Sequence, residues 1–513
     1  MSMSMSKQAL PLSTPVAVIG AGAMGAGIAQ VAAQAGHPVR LLDNRAGAAE
    51  QAVAGIRAQL TKLADKGKLS PEAAQAAAER LSAAASSAEL ADAGLVIEAI
   101  VENLEVKRAL FRELEAICGA DCIFATNTSS ISVTAIAAGL QRPERLVGMH
   151  FFNPAPLMAL VEIVSGLASE RQLADTLFDT AAAWGKTPVH AKSTPGFIVN
   201  RVARPYYAEG LRLLQEGAAD CATIDAVMRE AGGFRMGPFE LMDMIGHDVN
   251  FAVTKSVWNA FYQDPRFQPS LIQQELVDAG FIGRKSGRGF YDYRAGAERA
   301  QPQSAVPVGV PADILVCGDS PAALALAARL QAAGVAFSRA ASIDGRIAET
   351  GSVVLFQTDG RSATQRACNS GIANLALVDL ALDYGQASRL ALALARQANP
   401  AAQQAAVGLL QAAGYAVALL ADVPGLAVMR TVAMLANEAA DAVNQGVCDA
   451  AAADAAMRLG VNYPRGPLAW ADAVGVERIR TVLAHLNQFY GEDRYRVSPL
   501  IQQAVHAGSP IHG

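Results

Sequence analysis

The sequence predicts an α/β N-terminal doubly wound domain, then an all-α domain, a small α/β middle domain and a second all-α domain. Three observations carry the prediction. An apolar run ends in a glycine-rich turn and reopens as an Ala-rich helix, strand-like runs alternate with helical stretches to about residue 190, and an internal repeat doubles the helical part. The expected spans are 13–192, 193–295, 311–420 and 421–510.

The bulk properties narrow the class. A chain of 513 residues with 52% apolar and 17% charged residues can bury a large core and is not a disordered chain. A net charge of −5 and the lack of a Lys/Arg-rich run speak against nucleic acid or an anionic membrane surface as partner. No apolar run reaches the roughly 20 residues that a membrane span needs. Met1 to Lys7 alternates Met and Ser before the lysine, has no signal-peptide core and reads as a frayed tail. The six cysteines are scattered without CxxC spacing, so buried reduced thiols, no metal and a cytoplasmic setting are expected.

The first domain begins with Val16-Ala-Val-Ile19, a run suited to a buried parallel strand. It enters Gly20-Ala-Gly22-Ala-Met-Gly25 and a helix that stops at Gly36. Gly20 makes the tight turn, Gly22 admits a pyrophosphate to the backbone, and Gly25 lets helix and strand touch. The helix N-terminus offers free N–H groups and a positive dipole end to the phosphates. A second strand, Val39 to Leu42, ends on Asp43. A carboxylate there accepts ribose hydroxyls and repels a 2′-phosphate, which favours NAD. Arg45 is close enough to leave NADP as the alternative. The segment with Val53, Ile56, Leu60 and Leu63 forms an apolar helix face. Arg57, Lys62 and Lys66 on its other face are either solvated cations or contacts for a phosphate-bearing substrate.

Polar constellations then follow at strand ends, where this fold binds ligands. Thr126-Asn-Thr-Ser129-Ser130 is a dense set of short polar groups, and His150-Phe-Phe-Asn153-Pro154 is expected just after a strand. Glu162 interrupts the apolar run Leu160-Val-Glu-Ile-Val164. A buried acid is costly unless paired, and His150 lies twelve residues earlier, within reach through one strand turn. A carboxylate beside an imidazole fixes the tautomer and stabilises the imidazolium. Alcohol oxidation by hydride loss needs such a proton acceptor. The other reading is a satisfied core histidine, with Glu162 capping an unrelated group.

Taken with Thr194-Pro-Gly-Phe-Ile-Val-Asn-Arg201, Met236-Gly-Pro-Phe-Glu-Leu241 and Gly283-Arg-Lys-Ser-Gly287, these motifs resemble the L-3-hydroxyacyl-CoA dehydrogenases through about residue 293. The resemblance implies NAD-dependent oxidation of a 3-hydroxyacyl-CoA with His150 as base and Glu162 as its partner. It implies that Ser129 and Asn200 hydrogen-bond the substrate oxygen or the histidine. It further implies that Glu102, Lys107, Ser129 and Lys285 line the cofactor, and that Lys62 approaches the CoA phosphates. Another hydroxyacid dehydrogenase of the same fold is the alternative.

The remaining length is explained by a repeat. Pro195-Gly196 recurs as Pro424-Gly425, an offset of 229 (424 − 195). In the same register Arg201 matches Arg430, Glu209 matches Glu438, and Asp225-x-x-Met-Arg229 matches Asp454-x-x-Met-Arg458. Asn200 aligns with Met429 and Thr194 with Val423, so the second copy is expected to lack an active site, since a thioether cannot replace an amide. Residues 311–420 hold strand-like runs, among them Ile314–Cys317, Val353–Phe356 and Leu375–Val378, but Gly318-Asp-Ser-Pro is no phosphate turn. The tandem architecture resembles the bacterial dehydrogenases of phenylacetate catabolism that act on 3-hydroxyadipyl-CoA, with 3-hydroxybutyryl-CoA as the alternative substrate. A fused second copy would also supply the surface that shorter family members use to dimerise, giving a monomer with an internal pseudo-dimer or else a homo-oligomer.

Overall fold

The computed structural model describes residues 9–342 and 344–512, so the expectation for Met1 to Lys7 lies outside the described residues. The chain divides into two compact units: residues 1–201 with 445–461, and residues 202–444 with 462–513.

The first unit is built on eight strands in the order β3-β2-β1-β4-β5-β6-β7-β8. They are β1 (Val16–Ile19), β2 (Val39–Leu42), β3 (Leu81–Ala83), β4 (Leu95–Glu98), β5 (Ile123–Thr126), β6 (Leu146–Phe151), β7 (Leu160–Ser165) and β8 (Thr187–Lys192). Neighbours are parallel from β3 through to β6; β7 turns antiparallel to β6, and β8 follows β7. β1 lies between β2 and β4, so connections leave it to both sides and open a crevice at its carboxyl end. Val16, Val18, Val39, Leu41, Leu95 and Ile97 are fully buried or nearly so, as expected for parallel strands covered on both faces. The glycine-rich turn feeds the helix Ala23–Ala35, which stops at Gly36 in the left-handed conformation, φ +118°.

The second unit holds a seven-stranded sheet ordered β10-β9-β11-β12-β13-β14-β15. These are β9 (Leu315–Cys317), β10 (Ser338–Ala340), β11 (Arg346–Glu349), β12 (Val354–Gln357), β13 (Leu375–Val378), β14 (Arg389–Leu394) and β15 (Ala416–Leu419). The three predicted runs are β9, β12 and β13; the structure adds four more strands. From β12 to β15 the directions run parallel, antiparallel, parallel, the same sequence as from β5 to β8.

Backbone conformation repeats with the sequence. Phe197 and Leu426 are both left-handed (φ 46° and 54°), and Gly246 and Gly475 share φ 97° and 100°. Within the second unit, the first-copy helix Arg204–Gln215 packs on the second-copy helix Val428–Asn444. Arg430, fully buried, donates to Glu209 Oε2 at 2.6 Å and to both Glu216 oxygens at 3.0 and 3.1 Å. The helix Cys221–Glu230 covers β14, whereas its second-copy counterpart Ala450–Gly460 covers β7 and β8 in the first unit. Among the described residues no helix is long and apolar enough to cross a membrane.

Candidate active site

The glycine-rich turn is built for a phosphate. A Cβ on Gly20 would stand 2.4 Å from Ala99 O, and one on Gly25 would stand 1.7 Å from Gly20 O, so both contacts exclude a side chain. Around Gly22 a Cβ would meet nothing within 4 Å, which is the open approach a pyrophosphate needs. The helix Ala23–Ala35 begins there with no side-chain cap, leaving its first N–H groups for a ligand. Asp43 follows β2, accepts from Ala21 N at 2.7 Å and pairs with Arg45 at 3.0 Å. The Arg45 hydrogen bond outweighs burial and, helped by the Ala21 and Arg45 backbone N–H groups, holds the Asp43 carboxyl at about 2. It is therefore ionised and suited to ribose hydroxyls. These residues fit a dinucleotide.

Beside the turn lies a buried ionic network. Glu98 ends β4, opposite Ile19 at the end of β1, and is completely buried. Its carboxylate accepts from Ile100 N at 2.8 Å, Lys107 Nζ at 2.5 Å and Thr126 Oγ1 at 2.7 Å. Lys107 also stands 3.3 Å from Glu102. Glu102 Oε1 in turn accepts from Thr128 Oγ1 at 2.6 Å, Ser129 N at 3.2 Å, and Ser130 N and Oγ at 3.1 and 2.8 Å. Burial pushes the Glu102 carboxyl up, but the Thr128 hydroxyl, the Lys107 charge and Ser130 together hold it below its ordinary value. Lys107 and Glu102 are thus brought together with the Thr128–Ser130 loop that carries Ser129. Glu98 went unrecognised in the sequence, although an acid closing Leu95-Val-Ile is the same signal that marked Glu162.

His150 lies inside β6 rather than after it, because β6 runs on to Phe151. The extension has a structural cause: β7 pairs antiparallel with β6 and places His150 directly opposite Glu162. His150 Nδ1 is 2.6 Å from Glu162 Oε2. A carboxylate only accepts, so Nδ1 carries the ring proton and the lone pair falls on Nε2. Glu162 Oε1 accepts from the backbone N–H groups of Ile198 and Val199 at 3.1 and 3.0 Å. The acid, fully buried, is therefore satisfied on both oxygens. Phe152 and Phe197 flank the imidazole, with centroids 4.5 and 5.8 Å away. Asn127 Oδ1 accepts from Phe151 N at 2.8 Å and secures the end of β6. Asn200 Nδ2 donates to the Ser129 carbonyl at 3.5 Å, which joins those two predicted residues through the backbone.

Lys62 and Lys285 are the remaining predicted residues. Lys62 is exposed near the end of the helix Ala48–Asp65, and its side chain forms no hydrogen bond or ion pair among the described residues. Lys285 lies in the short turn Arg284–Ser286 of the second unit, with Nζ 2.7 Å from Asp248.

The second half shows what becomes of the same positions. β13 continues the pairing Val378↔Leu392 by one residue, with Asp379 N donating to Ala391 O at 3.1 Å. At the repeat offset of 229, Asp379 stands for His150 and Ala391 for Glu162. Asp379 accepts from Ala427 N, Val428 N and Met429 N at 2.9, 2.7 and 3.0 Å. The carboxylate that fastens the start of the helical copy comes here from the histidine position. Met429, fully buried, takes the place of Asn200.

Comparison with known proteins gives the family. Residues 15–194 match the 3-hydroxyacyl-CoA dehydrogenase NAD-binding domain, and 196–293 and 425–510 match the C-terminal domain of that family. Residues 355–424 match a reduced Rossmann-fold domain of 3-hydroxybutyryl-CoA dehydrogenase. A 3-hydroxyadipyl-CoA dehydrogenase of Escherichia coli K12 is 46% identical over 491 residues, covering 95% of this chain and 96% of that protein. The mitochondrial hydroxyacyl-coenzyme A dehydrogenase of Sus scrofa is 42% identical over 285 residues, covering 54% of this chain and 91% of its own. A crystal structure of 3-hydroxybutyryl-CoA dehydrogenase from E. coli K12 superposes with a TM-score of 0.88 at 44% identity, covering 97% of this chain and 99% of that one. With an N-terminal domain made for NAD and tandem C-terminal domains, the chain belongs to the 3-hydroxyacyl-CoA dehydrogenase family and is an NAD-dependent oxidoreductase.

Proposed function

We propose that the enzyme oxidises (S)-3-hydroxyadipyl-CoA to 3-oxoadipyl-CoA, with His150 as general base and Glu162 as its partner. The observation that carries the mechanism is the 2.6 Å contact of His150 Nδ1 with Glu162 across paired strands. It leaves Nε2 as the acceptor for the substrate hydroxyl proton. NAD supplies the hydride acceptor. As the proton reaches Nε2, the Glu162 carboxylate stabilises the imidazolium, while Ser129 and Asn200 hydrogen-bond the substrate oxygen or the histidine. The Glu98–Lys107–Glu102 network holds the Ser129 loop, which supports Glu102 and Lys107 as residues of the cofactor site. Lys285 toward the cofactor and Lys62 toward the CoA phosphates complete the reading.

The acyl group is supported by the name of the E. coli relative that matches nearly the full chain. The superposable crystal structure is named for 3-hydroxybutyryl-CoA, and that is the second reading. NADH formation from 3-hydroxybutyryl-, 3-hydroxyhexanoyl- and 3-hydroxyadipyl-CoA decides between them. The highest kcat/KM is expected for the dicarboxylic thioester, and a preference for the four-carbon substrate would overturn the adipyl reading.

The proposal includes a cytoplasmic setting, where reduced thiols persist, no nucleic-acid partner, and the four spans named at the outset. It also includes a monomer whose two helical copies form an internal pseudo-dimer, supported by the Arg204–Gln215 and Val428–Asn444 contact. Light scattering that returned a dimer of the 53.3 kDa chain would refute that state.

A further inference from the structure

Two opposite charges, Asp43 and Arg45, stand beside the glycine-rich turn. Leu42 at the end of β2 lies opposite Ile19 at the end of β1, so the bend over residues 43–47 abuts that turn. Gly20 N donates to Leu42 O at 2.8 Å, and Ala21 N donates to Asp43 Oδ2 at 2.7 Å. Arg45 folds back onto the same carboxylate. Its Nε donates to Asp43 Oδ1 at 3.0 Å, its Nη2 to Oδ2 at 3.3 Å and its backbone N–H to Oδ1 at 2.9 Å. Both oxygens of Asp43 are thus engaged. Its side chain is 7% exposed, whereas that of Arg45 is 69% exposed, and among the described residues this is the one ion pair that either group makes.

An arginine side chain carries five N–H donors. Asp43 takes two of them, so three remain on a guanidinium that is held in one orientation and faces solvent. The rest of the bend adds little bulk. Asn44, Ala46 and Gly47 are exposed, and a Cβ on Gly47 would meet nothing within 4 Å.

An acid after the second strand ordinarily selects NAD because its charge meets a 2′-phosphate with repulsion, and a nearby arginine is the usual device that accepts one. Here the two devices are joined. The charges of the pair cancel, and the outer member is the cation. A phosphate approaching the bend meets a fork of N–H groups, which matches phosphate oxygens as well as it matches a carboxylate. A ribose with hydroxyls alone takes Asp43 as acceptor instead.

We propose that the enzyme also binds the 2′-phosphorylated dinucleotide, NADP. Arg45 is the cation for the 2′-phosphate, and Asp43 holds Arg45 in place. This second cofactor is independent of the acyl group oxidised; it rests on the reading of Asp43 as the residue of the adenosine ribose.

The test is calorimetric titration of the full chain with NADH and with NADPH, for wild type, Arg45→Gln, Arg45→Lys and Asp43→Asn. NADPH is expected to bind wild type, and Arg45→Gln is expected to lower NADPH affinity by about tenfold more than NADH affinity. Tenfold is roughly the lower end for a charged hydrogen bond, taken because Arg45 is exposed. Arg45→Lys, which keeps the charge without the fork, should recover part of that difference. Adenosine 2′,5′-bisphosphate against AMP should show the same contrast, which places it at the 2′-phosphate. A wild type that binds NADPH about 1000-fold more weakly than NADH, the span from micromolar to millimolar, overturns the proposal. So does an Arg45→Gln variant that weakens both cofactors equally. Asp43→Asn should weaken NADH; if it does not, the ribose reading of Asp43 fails, while the NADPH-to-NADH ratio in Arg45→Gln still judges Arg45.

Discussion

Glu162→Gln separates the charge of the acid from its shape. The native carboxylate has two oxygens and three demands on them: Ile198 N and Val199 N on Oε1, and His150 Nδ1 on Oε2. Glutamine offers one oxygen. That oxygen stays with the two backbone N–H groups, because orphaning a buried donor costs about 1–3 kcal/mol. The amide nitrogen then faces Nδ1 and donates to it, which moves the ring proton to Nε2 and removes the lone pair that receives the hydroxyl proton. Loss of a correctly poised base lowers kcat by about 10²- to 10⁴-fold, or roughly 2.7–5.5 kcal/mol of transition-state stabilisation. NAD affinity, which the proposed site assigns to residues 20–25 and Asp43, should be unchanged. Stopped-flow NADH formation gives the first quantity and NADH fluorescence titration the second. A kcat within about threefold of wild type, or an NADH affinity that falls as far as kcat, would refute the assignment of Glu162 as partner to His150.

Further perturbations test the scaffold. Gly25→Ala drives a Cβ into Gly20 O, a backbone atom that cannot swing aside, so NADH binding should weaken at least tenfold and the melting temperature should fall. Fluorescence titration and calorimetry would report both. Arg430→Met leaves the fully buried Glu209 carboxylate without its cation and should cost about 3–5 kcal/mol in denaturant unfolding; a loss below about 1 kcal/mol would contradict a role in holding the helical copies together. Burial pushes the Asp225 carboxyl up to about 7 despite hydrogen bonds from Tyr291, Phe239 N and Glu240 N. Its folded-state value therefore lies above its unfolded one, so its stabilising contribution is complete below about pH 4 and is lost as pH rises toward 7. Asp225→Asn should flatten the fall in unfolding free energy between pH 4 and 7, and identical slopes in both proteins would exclude that source.

Legibility in the sequence followed how directly each residue's environment is written into its neighbours. The turn from Gly20 to Gly25 could be read because every glycine answers a local contact. Glu162 stood out because a charge inside an apolar strand needs a partner, and the structure supplies one across β6 and β7. The strand boundary at His150 was missed because β6 is prolonged by pairing with β7, a tertiary effect with no local mark. β14 reads Arg-Leu-Ala-Leu-Ala-Leu, residues as apt for a helix as for a buried strand, and β10 is exposed throughout, so neither carries a clear period.

The exchange between Glu162 and Asp379 bears on how a duplicated helical domain stays fastened to its sheet. Each helical copy opens with backbone N–H groups that demand an acceptor from the sheet before it, and each sheet provides a carboxylate, from β7 in one half and from the end of β13 in the other. In the first half that fastener also stands against an imidazole; in the second it has moved onto the imidazole's own position, and Ala391 fills the vacated one. The two positions thus differ between the halves without leaving a loose joint. Placing a histidine at position 379 would release the joint unless an acid were placed at 391 in the same step, so the second half holds its present residues at these positions for mechanical reasons.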